Sequence, residues 1–355
     1  MEKRNNKPEY WKMVEKLIKE TIGTGDIVSL TRWNDSNSIN ADINLSNNLL
    51  NNTPHEVKEN VELIHYTTIN SLFEIINSKK LRLGNAAQMN DPQELSFFLK
   101  KFKEYISPDF YEQMNNMFLI SFCEYNSNDK NNCEHFNMWR NYGDNGNGVG
   151  IVFKLANNDL RNKWVDCAMG KVNYDPESLG YGGLKKYFET LQEMKKLNRF
   201  SIHNLPKLIF QLATLHKAPI WLEEHEIRLF RFIKWDKLEW AYKFEKSDFS
   251  KEVKATYNGN CIKHFVELDL DNRSKLEQAT KLSEQTNKLY PKMNASATNI
   301  FDVFPALSIE KIILGYKISN EIKHEICNSL RILAFQNLGI TLQFENSSFT
   351  DYFRN

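Results

Sequence analysis

Residues 224–232 read Glu-His-Glu-Ile-Arg-Leu-Phe-Arg-Phe, and their alternation decides how the rest of the chain is understood. In a β-strand, successive side chains point to opposite faces. One face then carries Glu224, Glu226, Arg228, Phe230 and Phe232. Two carboxylates and a guanidinium share that face with two apolar rings, a composition suited to the rim of a pocket that leads into a core. Carboxylates about 7 Å apart, two residues along a strand, raise each other's pKa unless a cation offsets them. Arg228 is placed to do this for Glu226. A solvent-facing, self-neutralising ladder would use the same residues. Apolar residues on both sides, from Ile220-Trp221-Leu222 into Leu229-Phe230, favour a central strand instead, and a charged row on a central strand needs a reason.

Working outward, periodicity predicts a strand over Val61–Tyr66 and a helix over Ile69–Ser78, capped by Thr67 or Thr68. Leu81–Gly84 reads as a short extended piece, and Met117–Cys123 as a buried strand. A helix over His135–Tyr142 leads through a glycine-rich turn into a strand over Gly148–Phe153. Near the end, strands over Ile309–Leu314 and Leu342–Phe344 flank a helix from about Asn320 to Leu338. Residues 9–22 have helical spacing, and the stretch from Asn34 to Thr53, rich in Asn, Asp and Ser, reads as a loop or linker. Residues 1–58 therefore form an N-terminal extension, helical and then Asn-rich, and residues 59–355 the main domain. Two helices at 180–216 and one at 272–296 are insertions in it. Short strands mixed with helices, without regular βαβ alternation, indicate an α+β fold with a mixed or antiparallel central sheet and surrounding helices.

The chain has 355 residues, enough for one large core or two modest ones. Its net charge of +1 gives no whole-molecule reason to expect a polyanion partner. No apolar run approaches the roughly 20 residues that span a bilayer, and the first twenty residues are too charged for a secretory signal. Five scattered cysteines without a CxxC pair argue against a disulfide framework or zinc ribbon. A reducing cytoplasm is the expected location.

Several segments carry candidate chemistry. His65-Tyr66-Thr67-Thr68 ends a strand just before a helix, where a histidine either faces a ligand or closes the turn. Trp139-Arg140-Asn141-Tyr142-Gly143, beside Asp144-Asn145-Gly146-Asn147-Gly148, groups an indole, a guanidinium and a phenol that could hold a planar base and a phosphate. The plainer alternative packs Trp139 in the core and makes Asn145-Gly146 a tight turn. The glycine order is the reverse of a dinucleotide-binding fingerprint. Asn90-Asp91-Pro92-Gln93-Glu94 is explained by helix capping without a ligand. Cys133-Glu134-His135 has no second cluster to complete a metal set, and no serine or cysteine sits in a nucleophile elbow.

In order, these segments resemble a bacterial family known as domain of unknown function 2971. The shared elements are His65-Tyr66-Thr67, Asn90 to Glu94, Ser121-Phe122, Trp139 to Gly143, Glu224 to Arg228, and a closing Ile309-Glu310-Lys311-Ile312-Ile313-Leu314-Gly315. An early His, a middle Ser strand and a late Glu-x-Glu strand also resemble the three-part signature of ADP-ribosyltransferases. That resemblance implies an ADP-ribosyltransferase-like main domain in which His65 binds an NAD ribose and Ser121 lies by the nicotinamide. Glu226 would be catalytic, and Glu224 would position or deprotonate the acceptor. Tyr66, Thr67, Trp139, Arg140, Tyr142 and Arg228 would complete the nucleotide site, with Trp139 stacking on a base. Arg140 and Arg228 would neutralise pyrophosphate or hold Glu226.

The expected function is thus an enzyme that cleaves NAD as substrate, without a metal, and transfers ADP-ribose to a macromolecule or to water. A toxin or anti-phage effector is the implied setting, with no membrane partner. The rivals are a non-catalytic nucleotide-binding or sensing module and a nucleic-acid-processing enzyme, the latter resting on basic spots such as Lys79-Lys80-Leu81-Arg82 and Lys195-Lys196. The enzyme reading requires His65, Trp139 and Glu226 to line one cleft.

Overall fold

The computed structural model describes residues 27–32, 39–43, 50, 54–58, 61–89, 115–127, 134–155, 164, 167–174, 200–202, 211–233, 253–257, 259, 261–270 and 305–352. In chain order the strands are β1 (Ile27–Arg32), β2 (Ile39–Ile43), β3 (Glu62–Thr67), β4 (Lys80–Asn85) and β5 (Met117–Tyr125). They continue with β6 (Val149–Leu155), β7 (Cys167–Lys171), β8 (Phe200–Ile202) and β9 (Glu226–Phe232). The last four are β10 (Lys254–Tyr257), β11 (Ile262–Asp269), β12 (Leu307–Leu314) and β13 (Gln343–Asn346). Helices α1 (Ile69–Ser78), α2 (Phe136–Asn141) and α3 (Asn320–Leu338) accompany them. The fold is α+β.

β5 organises the main sheet. Its sequence, MFLISFCEY, is buried on both faces and so lacks a polar–apolar alternation. One edge pairs antiparallel with β9 from Met117↔Phe232 to Cys123↔Glu226, and β9 in turn pairs with β7. The other edge is shared. β4 takes Phe118 and Leu119, whereas β3 takes Cys123 to Tyr125. Over Ile120–Phe122 this edge has no ladder partner among the described residues, so the sheet forks there. One arm runs β4–β11–β10 and the other β3–β6–β12–β13. All these pairings are antiparallel except β12 with β13, where α3 provides the crossover that a parallel pair needs. β1, β2 and β8 form a separate three-stranded sheet.

The period-2 alternation of strands separates two cores. Leu63, Phe122, Phe153, Ile227 and Leu229 pack with Leu72 and Ile76 of α1 and with Ile326, Leu330 and Ala334 of α3. The opposite face gathers Ile64, Tyr66, Cys123, Met138, Trp139, Val152, Ile313 and Tyr316. α1 begins where the Thr68 hydroxyl accepts the Ser71 amide at 3.1 Å and ends at Lys79 in a left-handed conformation. α3 is capped by Ser319 and terminated by Gly339 with φ of 69°.

The structure corrects the sequence reading in four places. β9 starts at Glu226, because Pro219–Glu224 forms a 3₁₀ turn and His225, at φ of 43°, breaks the extended run. Ile220 and Leu222 are 83% and 55% exposed on that turn, so the strand is made central by β5 and β7 and not by apolar residues before it. The expected loop at 34–53 contains β2, and the expected helical region at 180–216 contains β8. β7, β10 and β11 were not foreseen; Cys167-Ala168-Met169-Gly170-Lys171 has no β-branched residue to mark it. The helices expected at 9–22 and 272–296, the stretches 180–199 and 203–210 and the Asn90–Glu94 cap lie outside the described residues, while 211–213 are helical.

The turn from Gly143 to Gly148 docks directly on the end of β12. The Gly315 amide donates to the Gly148 carbonyl at 3.0 Å, and the Lys317 amide to the Gly146 carbonyl at 2.9 Å. A β-carbon on Gly315 would lie 2.3 Å from the Gly146 carbonyl oxygen, against backbone that has no room to yield. Gly315→Ala is therefore expected to destabilise the protein by about 1–3 kcal/mol, read as a lower denaturant midpoint with unchanged slope.

Candidate functional site

Where β3 and β4 part from β5, a cavity of about 520 Å³ opens, within the range of about 300–1,000 Å³ usual for small-molecule sites. It is walled by β3 (Ile64, His65, Tyr66), β5 (Ser121, Phe122), the residues following β4 (Met89), α2 and the residue after it (Met138, Tyr142), and the segment leading into β9 (Lys217, Trp221, Glu224, Glu226). The fork explains how His65 enters. His65 alternates with Ile64 and Tyr66, yet its ring bridges the gap and places Nδ1 2.9 Å from the Ser121 carbonyl oxygen. A carbonyl only accepts, so Nδ1 carries the proton and Nε2 keeps a lone pair. Burial lowers the His65 pKa, opposed by that hydrogen bond, and the ring is neutral at pH 7.

Across the fork lies a buried charge cluster. Arg228, fully buried, grips Glu226 with Nε at 2.7 Å and Nη2 at 2.8 Å, and its Nη1 donates to the Thr214 carbonyl at 2.6 Å. Lys217 Nζ lies 2.6 Å from Glu224 and 3.5 Å from Glu226. The Tyr142 hydroxyl donates to Glu224 at 3.1 Å, and the Tyr174 hydroxyl accepts the Glu226 amide at 3.0 Å. The Cys123 thiol donates to the Glu224 carbonyl at 3.1 Å. Burial alone would raise the Glu226 pKa. The charge and hydrogen bonds of Arg228, then Lys217 and the Ser121 side chain, outweigh it and hold Glu226 below the ordinary carboxylate value. Burial and the nearby carboxylates push Cys123 and Tyr174 up, so both stay protonated.

His65, Ser121 and Glu226 thus line one cleft, the Ser121 carbonyl accepting from His65 and the Ser121 side chain helping to hold Glu226 ionised. Glu224, Tyr66 and Tyr142 also line the cleft. Trp139 does not. Its indole is fully buried against Tyr66, with Nε1 donating to Glu134 at 2.8 Å, so it cannot stack on a ligand. Glu134 is occupied on its other side by the Ser347 hydroxyl and the Ser348 amide, a structural junction. Arg140 is exposed and Thr67 pairs with Val149, both away from the cavity lining. Arg228 lies behind Glu226, which excludes it from contact with a pyrophosphate. Lys80, one of the basic spots, pairs with Asp269 at 2.9 Å and is not a ready phosphate ligand.

Sequence reasoning missed Lys217 and Trp221, whose ring lies 5.0 Å below the Lys217 ammonium. Nothing in a lysine before Ala218-Pro219 marks it as a partner for carboxylates seven and nine residues on. Among the described residues, no group of three His, Cys, Asp or Glu side chains could hold a metal ion, and no described helix is long and apolar enough to cross a membrane.

A family model described as a protein of unknown function, DUF2971, matches residues 138–229. The match supports the resemblance to that family over α2, the glycine turn, β6, β7 and the first half of β9. It includes Lys217, Glu224, Glu226 and Arg228, while His65 and Ser121 precede it. No curated protein and no solved structure shows significant similarity to the chain.

Arg228→Met leaves two buried carboxylates with one cation and is expected to destabilise the fold by about 3–5 kcal/mol, measured by denaturant unfolding. Acid should act in two steps. Burial holds His55 down to about 4, so its contribution is complete above its unfolded value of 6.5 and is lost as pH falls from there towards 4. Glu226, also lowered, contributes fully above its unfolded value of 4.5 and loses that contribution below it. Stability measured against pH should show the first limb reduced in His55→Leu, the remainder coming from His65 and His135, whose pKa values burial also lowers.

Proposed function

We propose that the cleft binds NAD and cleaves its nicotinamide–ribose bond, as an ADP-ribosyltransferase-like enzyme passing ADP-ribose to a macromolecule or to water. The observation that carries this reading is the convergence of an early histidine, a middle serine and a late glutamate, His65, Ser121 and Glu226, on one cleft. Cleavage of the glycosidic C–N bond builds positive charge on the sugar, and a carboxylate held ionised in a fixed position stabilises it. Glu226 has that property. The lone pair left on His65 Nε2 suits a ribose hydroxyl, which must donate to it. Glu224, between Tyr142 and Lys217, is placed to orient an acceptor. The stacking role expected of Trp139 passes to Trp221, the indole on the cavity wall. With Arg228 sequestered and Lys217 paired to carboxylates, the diphosphate of NAD belongs at the solvent side of the cleft. A toxin or anti-phage setting fits NAD consumption of this kind.

One observation favours a non-catalytic nucleotide-binding module instead. Both Glu226 oxygens are engaged by Arg228, and Glu226 is only 4% exposed.

Nicotinamide release from NAD separates the two. The catalytic reading expects release by the wild type and a fall of about 10²–10³-fold in Glu226→Gln, with His65→Ala also impaired. Equal release by wild type and Glu226→Gln removes Glu226 from the mechanism. Saturable NAD binding without release, unaltered by Glu226→Gln, establishes the binding module.

A further inference from the structure

We infer that Lys217 is a positioning residue for the cleft, a cation that holds the Glu224 and Glu226 carboxylates together in fixed, separate orientations. This deepens the reading of the cleft as a carboxylate-dependent site and rests on that reading only for its kinetic consequence. The argument is one of charge and placement. Glu224 and Glu226 converge on one ammonium, at 2.6 and 3.5 Å, in a region where both are 4% exposed. Carboxylates that close in a dry site cannot both ionise without compensation. Arg228 grips Glu226 with two nitrogens and donates to the Thr214 carbonyl with a third. Lys217 reaches both carboxylates.

Its backbone is tied to the segment that follows β7. The Lys217 amide donates to the Asn173 carbonyl at 3.2 Å, and Asn173 forms a parallel bridge with His216 just after β7. The Trp221 ring supports the ammonium from the turn that follows. Lys217 therefore approaches the carboxylates from a backbone segment fixed against the β7 side, while Glu226 is fixed by β9. Lys217 also lines the cavity, so an entering substrate meets the cation that divides the two acids.

The other titratable groups around this cluster do not substitute for it. Tyr142 donates a hydrogen bond to Glu224 but brings no charge. Cys123 from β5 and Tyr174 after β7 are both kept protonated by burial and by the carboxylates. Ser121 brings no charge, and His65 is neutral. Without Lys217, Glu226 keeps Arg228 but faces the neighbouring carboxylate with no ammonium between them, and its pKa rises.

The test is a ¹³C-carboxylate titration of glutamate-labelled full-length protein, comparing wild type, Lys217→Gln and Lys217→Arg. Gln keeps the length and a hydrogen-bond donor while removing the charge, and Arg restores the charge. The expected result is a Glu226 titration that rises by about one pH unit or more in Lys217→Gln and returns in Lys217→Arg. The acid limb of kcat for nicotinamide release should rise with it. A Lys217→Gln titration that coincides with wild type overturns the inference. If the titration shifts as expected but the wild type releases no nicotinamide, the role of Lys217 stands and the NAD reading falls.

Discussion

The clasp between Arg228 and Glu226 is the constraint on which the site depends. Burying a carboxylate is unfavourable by several kcal/mol, and a bidentate guanidinium is among the few partners that offset it. Because the clasp spans i to i+2 on one strand, it needs no distant element to form it. It does need a buried, central strand. β5 and β7 pair with both edges of β9, and the Thr214 carbonyl takes the remaining guanidinium nitrogen. Once Glu226 is fixed in this way, Glu224 cannot lie on the same ladder without repulsion. The left-handed turn at His225 lifts it off the strand and towards Lys217.

The fork in the sheet has a comparable logic. A continuous edge along β5 would have consumed the Ser121 carbonyl in a ladder bond. With β3 and β4 diverging, that carbonyl is left to a side chain, and His65 takes it. The same divergence gives a ligand a path between the two faces of the sheet. A buried acceptor without a backbone partner and an open cavity are thus two results of a single change in strand pairing.

Elements with strong local signals were legible in the sequence. Thr68 with the apolar spacing behind it specified α1, Ser319 and Gly339 bracket α3, and MFLISFC could hardly be anything but a covered strand. His65, Ser121, Glu224 and Glu226 were legible as a set because an ordered pattern, not any single residue, marked them. Trp139 was misjudged because an indole beside an arginine and a glycine turn looks the same in sequence whether it faces a ligand or a core. Only the packing of Tyr66, and a buried acceptor at Glu134, decided it. Lys217 was invisible for a related reason. Its partners are set by a 3₁₀ turn that returns the chain on itself, and exposed Ile220 and Leu222 gave the opposite impression of a buried approach to the strand.

The junction at Glu134 bears on when the cleft can exist during biosynthesis. Each cavity wall residue named above lies between positions 64 and 226. Yet Glu134, which seats Trp139 behind Tyr66, has its own valence filled by Ser347 and Ser348. The arm that holds β3 is likewise completed by β12 and β13. A ribosome-bound chain that has emerged through residue 226 therefore possesses the full set of cleft side chains without the scaffold that aligns them. Long-range closure of this kind is slow relative to local folding. A chain truncated before β13 therefore carries the cleft residues without the pairing that completes their scaffold.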